Sequence, residues 1–368
     1  MKKIAFVISH IPDPRINKRI TIAKQVGEVS LIYWNRQVID IWNLQHKDIN
    51  NIEIIEKANY GYPLKRLFAT FKVFIKVYKY LKKIKPQTIY VGNLDMLCMV
   101  VFYKRRSGSD INIIYEIADL PKLIGNGTRK VVGRILLATM MRVEKICCQE
   151  IDTLVVTSEK FYDVYYKKFI EKGKLLFVPN MPNREFFKNY KRKTEGDFVI
   201  GFIGAVRYKK QMKMLITAAK ETDISVFFAG SILEEEIGEE CGDKIKFYGK
   251  YDYNTEIAKM YSMVDCVYAV YDATLFNVRV ALPNKLYESI YCGIPIIVAK
   301  NTYLSELVNK WGVGVAVDCQ NVSELIVALS CLKDKGLFYN NLVNNCNKRK
   351  EYINDQLYSD KLRKCFEI

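Results

Sequence analysis

The chain has 368 residues, 50% hydrophobic and 26% charged, with 57 Lys and Arg against 40 Asp and Glu and a formal charge of +17. That balance excludes a disordered or low-complexity chain and predicts two or three globular domains. The longest strictly apolar runs, such as Met96 to Tyr103, fall far below the ~18 residues that span a bilayer, so no transmembrane helix is expected.

Met1, Lys2 and Lys3 precede a short apolar run, Ile4 to Ser9, which His10, Pro12, Asp13 and Pro14 break. This reads as a first strand and not as a signal peptide. Further β-branched runs follow at Val29–Trp34, Ile52–Ile55, Thr88–Val91, Ile111–Tyr115 and Thr153–Thr157. They alternate with helical stretches, the pattern of an α/β domain.

One helical stretch stands out. Leu64, Leu67, Phe68, Phe71, Ile75 and Tyr78 follow i, i+3, i+4 spacing between Pro63 and Lys85, and Pro86 stops the helix. Lys65, Lys72, Lys76, Lys79 and Lys83 share the opposite stripe, beside Arg66, and no acidic residue occurs from Lys57 to Leu94. The excess charge is concentrated in this half: residues 1–190 hold 33 basic and 17 acidic residues, the remainder 24 and 23. A basic amphipathic helix with bulky aromatics lies readily on an anionic membrane, and Lys65, Arg66, Lys72, Lys76, Lys79 and Lys83 are the expected contacts. The alternative is a helix packed on the core with a solvated lysine face. Nucleic acid is not expected, because no RNP-like strand, zinc finger or recognition helix accompanies the charge.

The polar stretch Lys188 to Asp197 precedes a second series of strands at Phe198–Ile203, Ser225–Ala229, Lys244–Tyr248, Cys266–Val270, Pro295–Ala299 and Val313–Val317. The predicted organisation is an N-terminal Rossmann-like domain over 1–187, a linker at 188–197, a second Rossmann-like domain over 198–340 and a helical segment over 341–368. Two doubly wound sheets are expected to face a cleft at the carboxyl ends of their strands. The ten cysteines form no CxxC pair, and only His10 and His46 are available beside them. Reduced thiols and no metal site are expected.

Two segments carry chemistry. Strand Phe198–Ile203 runs into Gly204, Ala205, Val206, Arg207, Tyr208, Lys209 and Lys210, ahead of a helical stretch from Met212 to Lys220. A glycine turn, cations and a helix N-terminus together suit a diphosphate; a plain sheet-to-helix turn with solvated lysines is the alternative. Further on, Pro283, Asn284, Lys285 and Leu286 start a helix that Gly293 ends, with Glu288 one turn in. A carboxylate there can accept two ribose hydroxyls or simply complement the helix dipole.

At these residues the chain resembles the nucleotide-sugar glycosyltransferases of the GT-B fold, specifically glycosyltransferase family four of the surface and capsular polysaccharide type. Gly204, Lys210, Leu215, Ile216 and Ala218 are similar to that family's GRLxxxKGxxxLIxA segment, with Gln211 at the usual Gly. Phe247-Tyr248-Gly249 resembles the loop that meets the nucleotide base, Tyr261 to Asp265 the YxxxD helix, and Pro283 to Pro295 the PxKLxExxxxGxP segment. Asp13-Pro14-Arg15-Ile16 with Lys18 resembles the DPRIxK opening, and Val178-Pro179-Asn180 the VPN segment. Val280 stands where the family commonly has a sugar-binding Glu, and Ala118 where DxHD has its His.

The resemblance implies two Rossmann-like domains about a cleft and a hexosyltransferase that retains the anomeric configuration. It implies that Arg207 and Lys210 carry the leaving diphosphate, with Gly204, Gly249, Asn284, Lys285, Leu286 and Glu288 completing the donor site. Asn277, Arg279 or the loop backbone would then replace the missing Glu toward the sugar. His10 and Asp119, at the ends of two N-domain strands, are the acceptor-side candidates. The implied partners are a nucleotide-diphosphate sugar as co-substrate, a polyprenyl-diphosphate-linked glycan acceptor and the inner face of the cell membrane, without cofactor or metal. A nucleotide-sugar epimerase of the same fold, or a catalytically silent partner of a polysaccharide-synthesis complex, would share part of this pattern.

Overall fold

Ile4 to Ile8 are completely buried, an unbroken apolar run suited to a parallel strand covered on both faces. In the computed structural model Lys2–Ile8 forms β1 of the first of two units. The structure describes residues 1–36, 44–57, 63–120, 124, 131–205, 208–231 and 242–368, without the side chains of 63–66, 131 and 132.

The first unit comprises Met1–Pro179 together with Gln356–Ile368. Its elements are β1, α1 (Pro14–Lys24), β2 (Gly27–Asn35), β3 (Asn50–Ile55), α2 (Pro63–Ile84), β4 (Thr88–Gly92), α3 (Leu94–Ser107), β5 (Asn112–Ile117), α4 (Val131–Cys148), β6 (Thr153–Val156), α5 (Glu159–Val164) and β7 (Leu175–Phe177). The seven strands are parallel in the order β3-β2-β1-β4-β5-β6-β7. Asp13 caps α1 through a 2.8 Å bond from the Ile16 N–H, and Pro14 sits at the first helical position, where its missing donor costs nothing.

The second unit is Asn180–Asp355. It holds β8 (Val199–Ile203), α6 (Lys209–Thr222), β9 (Ser225–Ala229), β10 (Ile245–Gly249), α7 (Tyr253–Ser262), β11 (Cys266–Ala269), α8 (Phe276–Val280), α9 (Asn284–Tyr291), β12 (Ile296–Ala299), α10 (Tyr303–Trp311), β13 (Gly314–Val317), α11 (Val322–Lys333) and α12 (Leu337–Lys350). Its six strands are parallel in the order β10-β9-β8-β11-β12-β13. The reversal of winding direction beside β8 places the β8–α6 turn at a topological switch point, where doubly wound sheets bind ligands.

Two expectations are corrected. The polar stretch 188–197 is not a free linker: Tyr190 donates to the Cys292 carbonyl at 2.7 Å, and Lys193 donates to buried Asp265 at 2.8 Å. These bonds bind it to the second unit, and the division falls at Pro179/Asn180 instead. The C-terminal segment is not one piece either. After α12, α13 (Asp355–Glu367) returns to the first unit, where Phe366 packs on Phe6 and Tyr90 and Asn112 donates to the Cys365 carbonyl at 2.7 Å.

On α2 the alternative of a bulky stripe packed on the core does not hold. Its core-facing stripe is Ala69, Val73, Val77 and Leu81, all buried, while Leu67, Phe68 and Phe71 are 66%, 70% and 63% exposed. The bulky apolar stripe read from the sequence therefore faces outward, and a smaller i, i+4 row packs on the sheet.

Candidate functional site

Glycine follows β8, ends β10 and follows β9, and the reason is close backbone approach. Gly204 has φ +137° and its N–H donates to Ala229 O at 2.7 Å; Gly230 has φ +131° and donates to Gly249 O at 2.8 Å. A Cβ on Gly230 would lie 2.1 Å from the Gly204 carbonyl oxygen, a distance no side chain tolerates. The three strand ends thus form one narrow shelf of backbone. Gly230 escaped the sequence reading, although its position directly after a strand matches that of Gly204.

Lys285 meets this shelf. A Cβ on Gly204 would be 3.0 Å from the Lys285 Nζ, which also lies over the Phe202 ring at 4.7 Å and near the Tyr271 ring at 5.7 Å. The aromatic faces hold the ammonium by cation–π attraction. Lys285 reaches there because Pro283, in extended conformation, precedes α9 and places it in the first turn. Asn284 is exposed beside it, whereas Leu286 is fully buried and serves as the helix's anchor in the sheet.

Lys210 is exposed in the first turn of α6, whose Tyr208 cap makes no side-chain bond to the helix start. The positive end of the helix dipole there favours an anion. Gln211, where the resembled motif has glycine, is buried and donates to the Cys319 carbonyl at 3.1 Å, so it anchors α6 inward. Arg207 lies outside the described residues.

Glu288 is buried, and its two carboxylate oxygens accept from the Tyr253 hydroxyl at 2.5 Å and the Tyr261 hydroxyl at 2.6 Å. Burial pushes its carboxyl up from the ordinary value, against the two hydroxyl donors and Lys285, which pull it down. The pair of donors expected from a ribose is thus already supplied by tyrosines on α7. Each oxygen retains a second acceptor position. The base-loop residues follow the same local logic: Gly249 takes φ +83°, Phe247 stacks on Phe228, and Tyr248 donates to Glu256 at 2.6 Å. Val280, in the position of the missing Glu, is buried on α8, and Arg279 lies over the Phe276 ring.

In the first unit, His10 lies two residues beyond β1, 3.8 Å from Asp13. Asp119 is exposed two residues beyond β5. Strand β4 separates β1 from β5 in the sheet order, so the two candidates occupy different strand ends. Between them lies a group the sequence reading missed. Glu116 is buried and bound by Arg15 at 3.2 Å and Arg19 at 3.3 Å, and Arg19 also donates to the Val178 carbonyl. Burial works to raise Asp13, but Arg15, His10 and the Ile16 N–H together hold it well below the usual carboxylate range. The i, i+4 spacing of Arg15 and Arg19 was the available signal. Residues 13–19 and the Val178 carbonyl thus share one buried ionic knot.

Of the expected membrane contacts, Lys72, Lys79 and Lys83 are exposed, while Lys76 pairs with Glu56 at 2.9 Å and Lys72 approaches the same carboxylate at 3.9 Å. The side chains of Lys65 and Arg66 lie outside the described residues. Among the described residues, no helix is long and apolar enough to cross a membrane. No group of three or more His, Cys, Asp or Glu among them could hold a metal ion.

The chain is similar to several known proteins. Residues 183–349 match the family of glycosyl transferases group 1. The succinoglycan biosynthesis protein ExoL of Rhizobium meliloti is 22% identical over 351 residues, which is 90% of this chain and 85% of that protein. Sucrose-phosphate synthase of Thermosynechococcus elongatus superposes with a TM-score of 0.73 at 15% identity, covering 98% of this chain and 97% of the other. Anabaena HepE in complex with UDP gives a TM-score of 0.71 at 15% identity, with 99% of each chain covered. At such identities the structural likeness carries the fold, the GT-B pair of Rossmann-like units.

Proposed function

We propose that this chain, a glycosyltransferase of the GT-B fold active in polysaccharide synthesis, moves a hexose from a nucleoside-diphosphate sugar to a glycan borne on a polyprenyl diphosphate. The observation that carries the donor half is the Lys285 ammonium held against the Gly204 turn, at the switch point of the second sheet. HepE, of the same fold, has been solved with UDP and with UDP-glucose, and ExoL is named for succinoglycan biosynthesis.

In this reading the donor's phosphates rest on the glycine shelf, facing the start of α6 with Lys210 and Arg207, and Lys285 from α9. The bond between the sugar C1 and the diphosphate oxygen breaks as C1 bonds to the acceptor hydroxyl on the same face. The departing phosphate oxygen takes the hydroxyl proton, so configuration is retained and no protein base is needed. Cations fixed beforehand around the developing diphosphate charge supply the main stabilisation, and positioning of the two substrates supplies much of the rest. Glu288, oriented by Tyr253 and Tyr261, offers its remaining acceptor positions to the ribose. His10 and Asp119 serve the acceptor side, and no metal enters.

The outward apolar and lysine faces of α2 support docking on the anionic inner leaflet, where a polyprenyl-linked acceptor resides. The deciding experiment has two stages. A panel of UDP-, GDP-, ADP- and CMP-sugars is screened for thermal stabilisation, since a ligand of the folded state raises its stability by mass action. The nucleotide found is then assayed for release with and without lipid-linked glycan, and the product anomer is read by NMR. No stabilisation by any of them overturns the donor assignment; release that ignores the acceptor overturns the transferase mechanism.

A further inference from the structure

We infer that the first unit meets the membrane through a two-helix apolar surface, α2 together with α4, and that α4 inserts apolar side chains between anionic lipids. The inference rests on the membrane-docking reading above and adds an element that reading did not contain.

Helix α4 is held to its unit by its C-terminal half. Glu144 is fully buried and accepts from Tyr115, Tyr165 and Tyr166 at 3.1, 2.7 and 2.8 Å, and Cys147 lies 3.7 Å from Cys98 of α3. The opposite side carries Ile135 and Leu136, 62% and 58% exposed, with Val143 and Ile146 also outward. At 100° per residue these four fall within one 100° arc, away from Glu144 and Cys148, with Cys147 at its edge. A solvated helix face ordinarily carries polar residues there.

The same surface continues across α3 to α2. Phe102 of α3 is partly exposed and packs edge-on against Phe74 and Tyr78 of α2, at 5.0 and 5.9 Å. Those two residues flank the outward Leu67, Phe68, Phe71 and Ile75. Helices α2, α3 and α4 all follow crossovers running from β3 toward β6 in the same direction along the sheet. Right-handed connections of that kind put them on one face.

Charge selects the occupant. Helices α2 and α4 together contain ten Lys and Arg, and their only carboxylate is Glu144, which is buried. Arg134, Arg142 and Lys145 on α4 are exposed, as are Lys72, Lys79 and Lys83 on α2. A second copy of the chain would set like charges against each other, whereas an anionic bilayer neutralises them while taking up the apolar side chains.

The test uses the full chain with vesicles of phosphatidylcholine and phosphatidylglycerol. Wild type is expected to sediment with anionic vesicles and to retain part of that binding in 1 M salt, where charges are screened within roughly 3 Å. Ile135→Ser with Leu136→Ser is expected to lower vesicle affinity about tenfold or more, since each side chain loses apolar burial, with thermal stability and nucleotide binding unchanged. A separate variant, Leu136→Trp, is expected to show a blue shift in emission on adding anionic vesicles. Wild-type sedimentation with unchanged affinity of the double variant and no blue shift overturns the role of α4 and leaves α2 as the sole contact. Absence of wild-type binding overturns the membrane reading itself.

Discussion

The Lys285 ammonium stands 3.0 Å from the point where a side chain on Gly204 would begin. Backbone shelf and cation occupy one place, and the donor diphosphate is proposed to complete it. Gly204→Ala is therefore expected to act twice: an L residue at φ +137° costs ~1–3 kcal/mol, and the added methyl displaces the ammonium. Thermal unfolding should show the first effect, and titration with the nucleotide sugar should show the second as a rise in Kd. Gly230→Ala should be the more damaging, because its Cβ would strike the Gly204 backbone at 2.1 Å, where no flexible side chain can yield.

Lys285→Ala and Lys210→Ala are each expected to weaken binding of the intact nucleotide sugar by about tenfold, the scale of one charge-assisted contact. Nucleoside without phosphates should bind all three proteins equally. Unchanged donor binding and turnover in Lys210→Ala would remove that residue from the site.

Glu288 links stability to pH. Its carboxyl is raised in the folded protein, so its contribution is full below the ordinary glutamate value near ~4.3 and is lost as pH rises through the raised value. Glu288→Gln cannot titrate. The stability of wild type minus that of the variant should therefore fall as pH increases above about 4.3, measured by urea unfolding at a series of pH values. A difference that stays flat would show that the carboxyl is not raised. Tyr261→Phe removes one donor to the carboxylate and should raise the carboxyl further, shifting the same fall to higher pH.

Asp13 gives the opposite slope. Held low by Arg15, His10 and the Ile16 N–H, it stabilises the fold above the ordinary aspartate value near ~3.9, and that contribution disappears as pH falls through the lowered value. Asp13→Ala should cost ~1–2 kcal/mol at pH 7 from the lost helix cap alone. The gap between wild type and variant should narrow in acid.

Glu116→Ala leaves Arg15 and Arg19 buried around an empty place. Removing one partner of a buried ion pair costs ~3–5 kcal/mol, so this should be the most destabilising of the first-unit substitutions, read as a fall in Tm or in folded yield. Glu116→Gln with Arg19→Met should recover part of the loss.

The strand positions of both parallel sheets were legible because strands covered on two faces read as continuous apolar runs: Ser225–Ala229 matches β9 from end to end. Short β7 was missed because Leu175–Phe177 has three residues, all half-buried. On α2 large aromatics and small aliphatics lie on opposite sides, and periodicity alone favours the larger as the core. Here Ala69 and Val73 won, since they allow the helix to sit close on the sheet. Glycine and lysine spacing pointed to the candidate donor positions, but partners distant in sequence were not legible: nothing local to Glu288 announces Tyr253, 35 residues earlier.

Because α13 closes over Phe6 and Tyr90, the order of synthesis matters to the first unit. The ribosome completes β4 and then makes about 275 further residues before Phe366 emerges, an interval on the order of tens of seconds at ~5–20 residues per second. During that time the second unit can fold whole, while the nascent first sheet waits with part of its aromatic face uncovered. A stop codon shortly before residue 355 would therefore damage the unit made first of the two, and spare the second.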